Sequence, residues 1–262
     1  MQTEKVIDHI VNWLKAYAEN AKCKGFVIGV SGGIDSAVTS TLCAKTGLDL
    51  LCLEMPIHQG KNQVTRADRH IDWLMENFPN VSRQPVNLTP VFDSLVDAFP
   101  KVDKEEERFM SLANTRARLR MTTLYYFAAL KGYLVAGTGN KVEDFGIGFY
   151  TKYGDGGVDL SPIADLLKTE VYEIGRALGV NQDIMDAAPT DGLWGDSRTD
   201  EDQIGASYPE LEWAMEMDDK GKTAEDFSDR KKEIFTIYKT YNTANKHKMV
   251  PIPICEIPAA LK

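Results

Sequence analysis

The stretch "VIGVSGGIDSA", residues 27–37, joins an apolar, β-branched run to two glycines flanked by serines, with an aspartate directly behind. "GFVIGV" (25–30) reads as a buried strand, and "SAVTSTLCAKTG" (36–47) as a helix ending on Gly47. The turn between them, Ser31-Gly32-Gly33, therefore lies at the carboxyl end of a strand and the amino end of a helix. Glycines allow backbone N–H groups to approach an anion closely, and a helix N-terminus adds about half a positive charge. Ser31 and Ser36 add hydroxyl donors. Asp35 would repel a phosphate unless a cation bridges the two, which points to Mg²⁺. An ordinary strand–turn–helix with Ser36 or Asp35 as a cap is the competing reading. The full S-G-G-x-D-S pattern is tighter than that reading needs, with a chance frequency of roughly 10⁻³ in a chain of this length. It is not a Walker A loop, since G-x-x-x-x-G-K-[ST] does not occur.

Outward from this turn the chain alternates. An amphipathic helix over 3–21 precedes the first strand, with Val6, Ile7, Ile10, Val11, Leu14 and Tyr17 at helical spacing. After it come a second strand (50–56), a helix (62–78), a weaker third strand (83–88), a long helix (about 104–131) and a fourth strand (133–138). Strands alternating with helices predict an α/β fold, a doubly wound, mostly parallel sheet of Rossmann-like type with helices on both faces. Residues 139–161 read as a polar, glycine-rich loop, followed by helices at about 164–178, 200–217 and 223–247 and a proline-rich tail, "VPIPICEIP". In such sheets the ligand crevice lies at the carboxyl ends of the strands.

Composition narrows the function. The 262 residues suffice for one large domain with ample core, and the formal net charge is −9. An acidic chain is a poor match for broad nucleic-acid binding. Four cysteines without a C-x-x-C pair argue against a zinc site or disulfide framework and suit a reducing, cytoplasmic compartment. The N-terminal stretch carries charges every few residues, unlike a signal peptide, and no run of 18 apolar residues predicts a membrane span.

The second informative stretch is "GTGNKVEDFGIGFYTKYGDGGVDLSPIADLLKTEV" (137–171), with seven glycines. By composition it is either a solvated, mobile loop or a functional one. Here the chain resembles a known family. "SGGIDS" is the signature of the N-type ATP pyrophosphatases, and "TKYGDGGVDLSPI", "LLKTEVYEIGRALG" and "DEDQIGASY" are similar to the ammonia-dependent NAD⁺ synthetases, over nearly the whole chain.

The resemblance implies a ligase that adenylates the carboxylate of deamido-NAD⁺ with ATP and then admits ammonia, giving NAD⁺, AMP and pyrophosphate. It implies an ATP site at Gly29, Val30, Ser31, Gly32, Gly33, Ile34, Asp35 and Ser36, joined by Thr138, Lys168 and Thr190. Asp35 and Glu143 match Mg²⁺ ligands, and Asp35 and Lys168 are the groups expected to carry the chemistry. Arg118, Lys152, Asp159 and the His247–Lys248 pair match deamido-NAD⁺ contacts. A homodimer is also implied. Each position has an ordinary competitor: Arg118, between Arg116 and Arg120, fits a solvated helix face, and His247–Lys248 fits a helix C-terminus. The chain departs from some members in reading "GTGNKVED" where they read G-T-D-H-A-A-E, and in one extra residue before Lys152. Asn140 and Lys141 are thereby left without a role. The 24 residues before the first strand are too few for a glutaminase, so a single synthetase domain using free ammonia, or a separate donor, is expected. A tRNA thiolase would need catalytic cysteines and a basic surface. An ATP sensor would need the glycine turn but not the later acids and lysines.

Overall fold

The computed structural model describes residues 1–59, 61–102, 105–189 and 199–262. Four parallel strands, β1 (Gly25–Gly29), β2 (Asp49–Glu54), β3 (Val81–Pro85) and β4 (Leu134–Val135), lie in the order β3-β2-β1-β4. The chain runs outward from β1 to β3 and then returns to β1's other side for β4. The order reverses between β1 and β4, and a crevice opens there at their carboxyl ends. Register is fixed by Ile28 opposite Cys52 and Val27 opposite Val135.

Alternation along the strands explains the two layers, because successive side chains point to opposite faces. Phe26, Ile28, Leu50 and Cys52 join α1 (Thr3–Asn20), α2 (Ile34–Lys45), α3 (Lys61–Asn77) and a helix beginning at Lys168 on one face. Val27, Leu51, Leu53 and Val135 face α4 (Thr89–Ala98) and α5 (Glu105–Lys131) on the other. With both faces covered, β1 becomes an unbroken apolar run, as parallel strands do. A third cluster, built on Ile147, Leu211, Phe235 and Tyr238, lies beyond the sheet.

The sequence reading differs from the structure at identifiable places. α4 was not expected; Asn87 Oδ1 accepts the Thr89 N–H at its start, and Pro90 sits in its first turn. The fourth strand is shorter than 133–138: pairing with β1 ends with the Ala136 N–H donating to the Val27 carbonyl, and on its other side the chain bonds residues 159 and 160. The helix expected from 164 begins at Lys168, as α6 (Lys168–Leu178), where the Glu170 carboxylate accepts the Leu167 N–H at 2.8 Å. After the short α7 (Gln182–Met185), the helix expected over 200–217 is two, α8 (Asp200–Ile204) and α9 (Tyr208–Asp219). Gly205, at φ +85°, ends the first, and Ser207 with Glu210 caps the second. The last, α10 (Asp229–Met249), starts later than expected because a short turn closes over Ala224–Asp226. Within 139–161, residues Val142–Ile147 form a widened π-helical turn.

Candidate active site

The β1–α2 turn is held largely by its own side chains. The Ser31 N–H donates to Ser36 Oγ at 3.2 Å, the Gly33 N–H donates to Ser31 Oγ at 3.3 Å, and the Ser36 hydroxyl donates to the Gly33 carbonyl at 3.0 Å. Gly32 takes φ +80°, a left-handed conformation that glycine adopts without strain. Arg66 of α3 donates from Nε to the Gly32 carbonyl at 3.2 Å, tying the turn to the next helix.

This turn forms one wall of a cleft of about 960 Å³. Gly29 through Ser36, Thr138, Glu143, Lys168 and Lys248 all line it. Within it stands a charge cluster. Lys168, only 3% exposed at the start of α6, donates from Nζ to Asp35 Oδ2 and, at 3.0 Å, to Glu143 Oε1. The Tyr208 hydroxyl donates to Glu143 Oε1 at 2.6 Å, and the Lys168 ammonium lies 4.8 Å from the centre of the Tyr208 ring. Asn140, fully buried, donates from Nδ2 to Asp35 Oδ1 at 3.2 Å.

The electrostatics follow from this packing. Burial alone would discharge Lys168, but Asp35 and then Glu143 outweigh it and hold the ammonium well above its ordinary range. For Glu143, burial is opposed by Lys168 and by hydrogen bonds from Tyr208, Lys168 and Asn140, so its carboxyl titrates below the usual range. Burial pushes Asp35 upward against the pull of Lys168. The Tyr208 phenol is driven up by burial and by Glu143, and remains a proton donor to it.

The expected dinucleotide contacts divide. Lys248 lines the cleft and donates to the Gly148 and Tyr150 carbonyls, each at 2.9 Å. Arg118, Lys152, Asp159 and His247 stand outside the cleft wall. Arg118 is exposed and donates to the Lys152 carbonyl at 3.3 Å, and Lys152 Nζ donates to the His247 carbonyl at 2.8 Å. Asp159 is engaged by its own fold, accepting from the Val135 N–H at 2.8 Å and the Tyr125 hydroxyl at 3.0 Å. Thr190 lies outside the described residues.

Arg120, two residues beyond Arg118, does line the cleft. Its Nε donates to the Met55 carbonyl at 3.1 Å, while its buried Nη2 has no hydrogen-bond partner among the described residues. Burial first, then Arg116, lowers its pKa to about 10. Sequence reasoning assigned no role to Arg66, Arg120, Asn140 or Tyr208. Only Tyr208 had a local signal, the S-x-x-E capping box of Ser207 and Glu210 that places it in the first turn of α9.

Comparison with known proteins identifies the family and the fold. The family model described as NAD synthase matches residues 6–251. The chain is 40% identical over 215 residues to the NH₃-dependent NAD⁺ synthetase of Carboxydothermus hydrogenoformans, covering 80% of this chain and 84% of that protein. It is 38% identical over 232 residues to the protein of the same name from Finegoldia magna, covering 88% and 91%. Among solved structures, NMN synthetase from Francisella tularensis superposes with a TM-score of 0.82 at 31% identity, over 99% of both chains. The NH₃-dependent NAD synthetase of Campylobacter jejuni superposes at 0.78 with 25% identity, over 98% of this chain and 100% of that one.

Proposed function

The chain belongs to the NAD synthase family, and from that premise we propose that it is a ligase performing the final amidation of NAD⁺ synthesis. ATP, deamido-NAD⁺ and ammonia are its substrates. The observation that carries the reading is Lys168 clasped between Asp35 and Glu143 beside the glycine turn.

A carboxylate is a poor electrophile. In the proposed sequence, a nicotinate carboxylate oxygen attacks the α-phosphorus of ATP, and pyrophosphate leaves with the electron pair of the broken P–O bond. Ammonia then adds to the acyl carbon, loses a proton, and AMP departs. At phosphorus, catalysis is chiefly positioning and neutralisation of charge. With the Ser31 and Gly33 N–H groups held by serine hydroxyls, the remaining N–H groups of the turn at 31–36 and the α2 N-terminus would meet the phosphates, and Lys168 supplies a fixed positive charge. Asp35 and Glu143 are oxygen donors brought to a single ammonium, a donor set that fits Mg²⁺, which takes one or two protein carboxylates and fills its shell with phosphate and water oxygens. When bound, Mg²⁺ would neutralise phosphate charge as a Lewis acid. Arg120, whose side chain lines the cleft, adds a positive charge to its wall.

Two further features belong to this reading. Met110, Tyr126 and Leu130 of α5 are each more than half exposed, and Arg118, Lys152 and His247 gather at a rim outside the cleft. A homodimer would cover the first and bring the second toward a neighbour's ligand. All four cysteines are free thiols, which supports a reducing cytoplasm, and no described helix is long and apolar enough to cross a membrane.

The test is to combine protein, ATP, Mg²⁺, ammonium and deamido-NAD⁺ and to assay AMP. AMP should require every component. The likeness to a structure named NMN synthetase favours one second reading, amidation of the mononucleotide, so nicotinate mononucleotide belongs in a parallel reaction. Equal or greater turnover of the mononucleotide would move the substrate assignment. ATP binding with no acceptor-dependent AMP would make the chain a sensor.

A further inference from the structure

The cleft's two acids meet one cation although the chain holds them far apart, Asp35 behind β1 and Glu143 in the turn after β4. Something must fix the distance between the two elements before a ligand arrives.

Asn140 is placed to do this. It is fully buried. Its Oδ1 accepts the N–H groups of Val142 at 3.1 Å and Glu143 at 3.2 Å, capping the π-helical turn that carries Glu143. Those partners can only donate, so Nδ2 must face the other way, where it donates to Asp35 Oδ1 at 3.2 Å. The backbone on either side is pinned as well: the Asn140 carbonyl accepts the Asp144 N–H, and the Lys141 N–H donates to the Leu166 carbonyl, both at 2.9 Å. We infer that Asn140 is a positioning residue for the reaction, a single amide that holds the Asp35 carboxylate in register with the turn bearing Glu143, so that both acids meet Lys168 and the ATP-bound metal together. The inference rests on the function proposed above.

The chemistry of the side chain is restrictive. An aspartate would face Asp35 with like charge and lose the donor. A leucine of similar size would orphan two buried N–H groups and release Asp35. A glutamine is one carbon too long for both bonds at once. A neutral imidazole, by contrast, carries one donor and one acceptor lone pair, so it can keep the bond to Asp35 and one of the two N–H bonds.

The experiment compares Asn140→Leu and Asn140→His with the wild type by thermal unfolding, by calorimetric Mn²⁺ binding with ATP present, and by AMP release at varied ATP. Losing one hydrogen bond to a charged group changes an equilibrium or a rate by about 10- to 100-fold. Folded Asn140→Leu should therefore bind Mn²⁺ at least about tenfold more weakly and lose about 100-fold in kcat, while KM for ATP moves less than about threefold, since the glycine turn is intact. Asn140→His, which keeps the donor to Asp35, should recover part of both losses. Wild-type Mn²⁺ affinity and kcat in folded Asn140→Leu would overturn the inference, as would an Asn140→His variant no better than Asn140→Leu. Should Asn140→Leu not fold, Asn140→Ala, which leaves room for water at the two N–H groups, is held to the same outcomes. If the wild type releases no AMP, the proposed function has failed, and Mn²⁺ binding still decides the role of Asn140.

Discussion

The two glycine-rich segments of the cleft, residues 30–36 and 139–161, lie at the ends of neighbouring strands but are held in opposite ways. In the first, the turn itself (Ser31–Gly33) is closed by Ser31 and Ser36, within its own few residues, with Arg66 bonding the Gly32 carbonyl from outside; only Asp35 behind it takes its partners, Lys168 and Asn140, from the distant segments. The second is held from outside. Asn242 donates to the Gly146 carbonyl at 2.7 Å, Asn245 to Ile147 at 2.8 Å, Lys248 to Gly148 and Tyr150, and Tyr208 to Glu143. A turn that carries its own hydrogen bonds can be recognised by a short motif. A segment whose bonds come from some 100 residues away cannot.

The sharpest way to break this comparison is to remove charge where the segments meet. Asp35→Asn should lower AMP release by about 10³-fold, a loss on the scale of removing one preorganised electrostatic group. Its unfolding midpoint should stay near that of the wild type, because Lys168 keeps Glu143 as a partner. Near-normal AMP production at ordinary Mg²⁺ would take Asp35 out of the chemistry.

Lys168→Met acts on the fold as well as on turnover. It leaves two mostly buried carboxylates, 18% and 17% exposed, facing each other without their cation. Breaking a buried pair in this way costs about 3–5 kcal/mol, with the lower end expected because both acids touch the cleft's solvent. Urea denaturation measures it. Glu143→Gln in the same chain should restore part of the loss, and a double variant no more stable than Lys168→Met would show that the acids do not repel across the site.

The first segment also has a hidden support, which acid should expose. His70 of α3 is fully buried, with Nε2 2.9 Å from Ser40 Oγ on α2, the helix that follows the turn. Burial lowers its pKa to about 4, against an ordinary value of 6.5. The folded state thus binds fewer protons than the unfolded chain between these values. The associated stability is complete above about pH 6.5 and is lost as pH falls toward 4, a change of roughly 2–3 kcal/mol. Urea midpoints between pH 7 and 4.5 should fall less steeply in His70→Gln than in the wild type. Parallel slopes would assign the acid sensitivity elsewhere.

What was legible in the sequence follows the same division. The parallel sheet, the crevice at its carboxyl edge and the glycine turn were readable because they rest on local patterns: a β-branched run, S-G-G-x-D-S, and alternation of strand and helix. Glu143 and Lys168 were reachable by resemblance, and the structure brings them onto Asp35. Asn140 and Tyr208 were not, since an asparagine in a glycine-rich loop and a tyrosine after a cap carry no sign of the carboxylates they meet. Arg118 and Arg120 show the limit of helical reasoning. Two residues apart on one helix, they face different ways, and only Arg120 lines the cleft. α4 was missed because its start depends on Asn87 and Pro90 rather than on a long apolar period.

The smallest expected effect concerns motion, and it divides the second segment itself. The sequence predicts one mobile loop over 139–161, ordered by ligands. In the structure Val142 and Ile147 are fully buried against α9 and α10, so the amides of Val142–Ile147 should exchange slowly even in the free protein. Residues 151–158 differ. Their backbone N–H groups bond only at short range, Gly154 N–H to the Thr151 carbonyl and Gly157 N–H to the Gly154 carbonyl, and Tyr153 is 52% exposed. Glycines there lose the most entropy on ordering, so contacts from a ligand are needed to hold them. Closure over an acyl adenylate would also keep water from hydrolysing it. Adding ATP and deamido-NAD⁺ should therefore slow exchange over 151–158 by roughly tenfold or more and change 142–147 little. A uniform change across 139–161 would restore a single lid hinged at Gly139. No change in 151–158 would mean that "KYGDGG" is a fixed wall, and Lys152, whose ammonium is already engaged by the His247 carbonyl, would have no part in binding the dinucleotide.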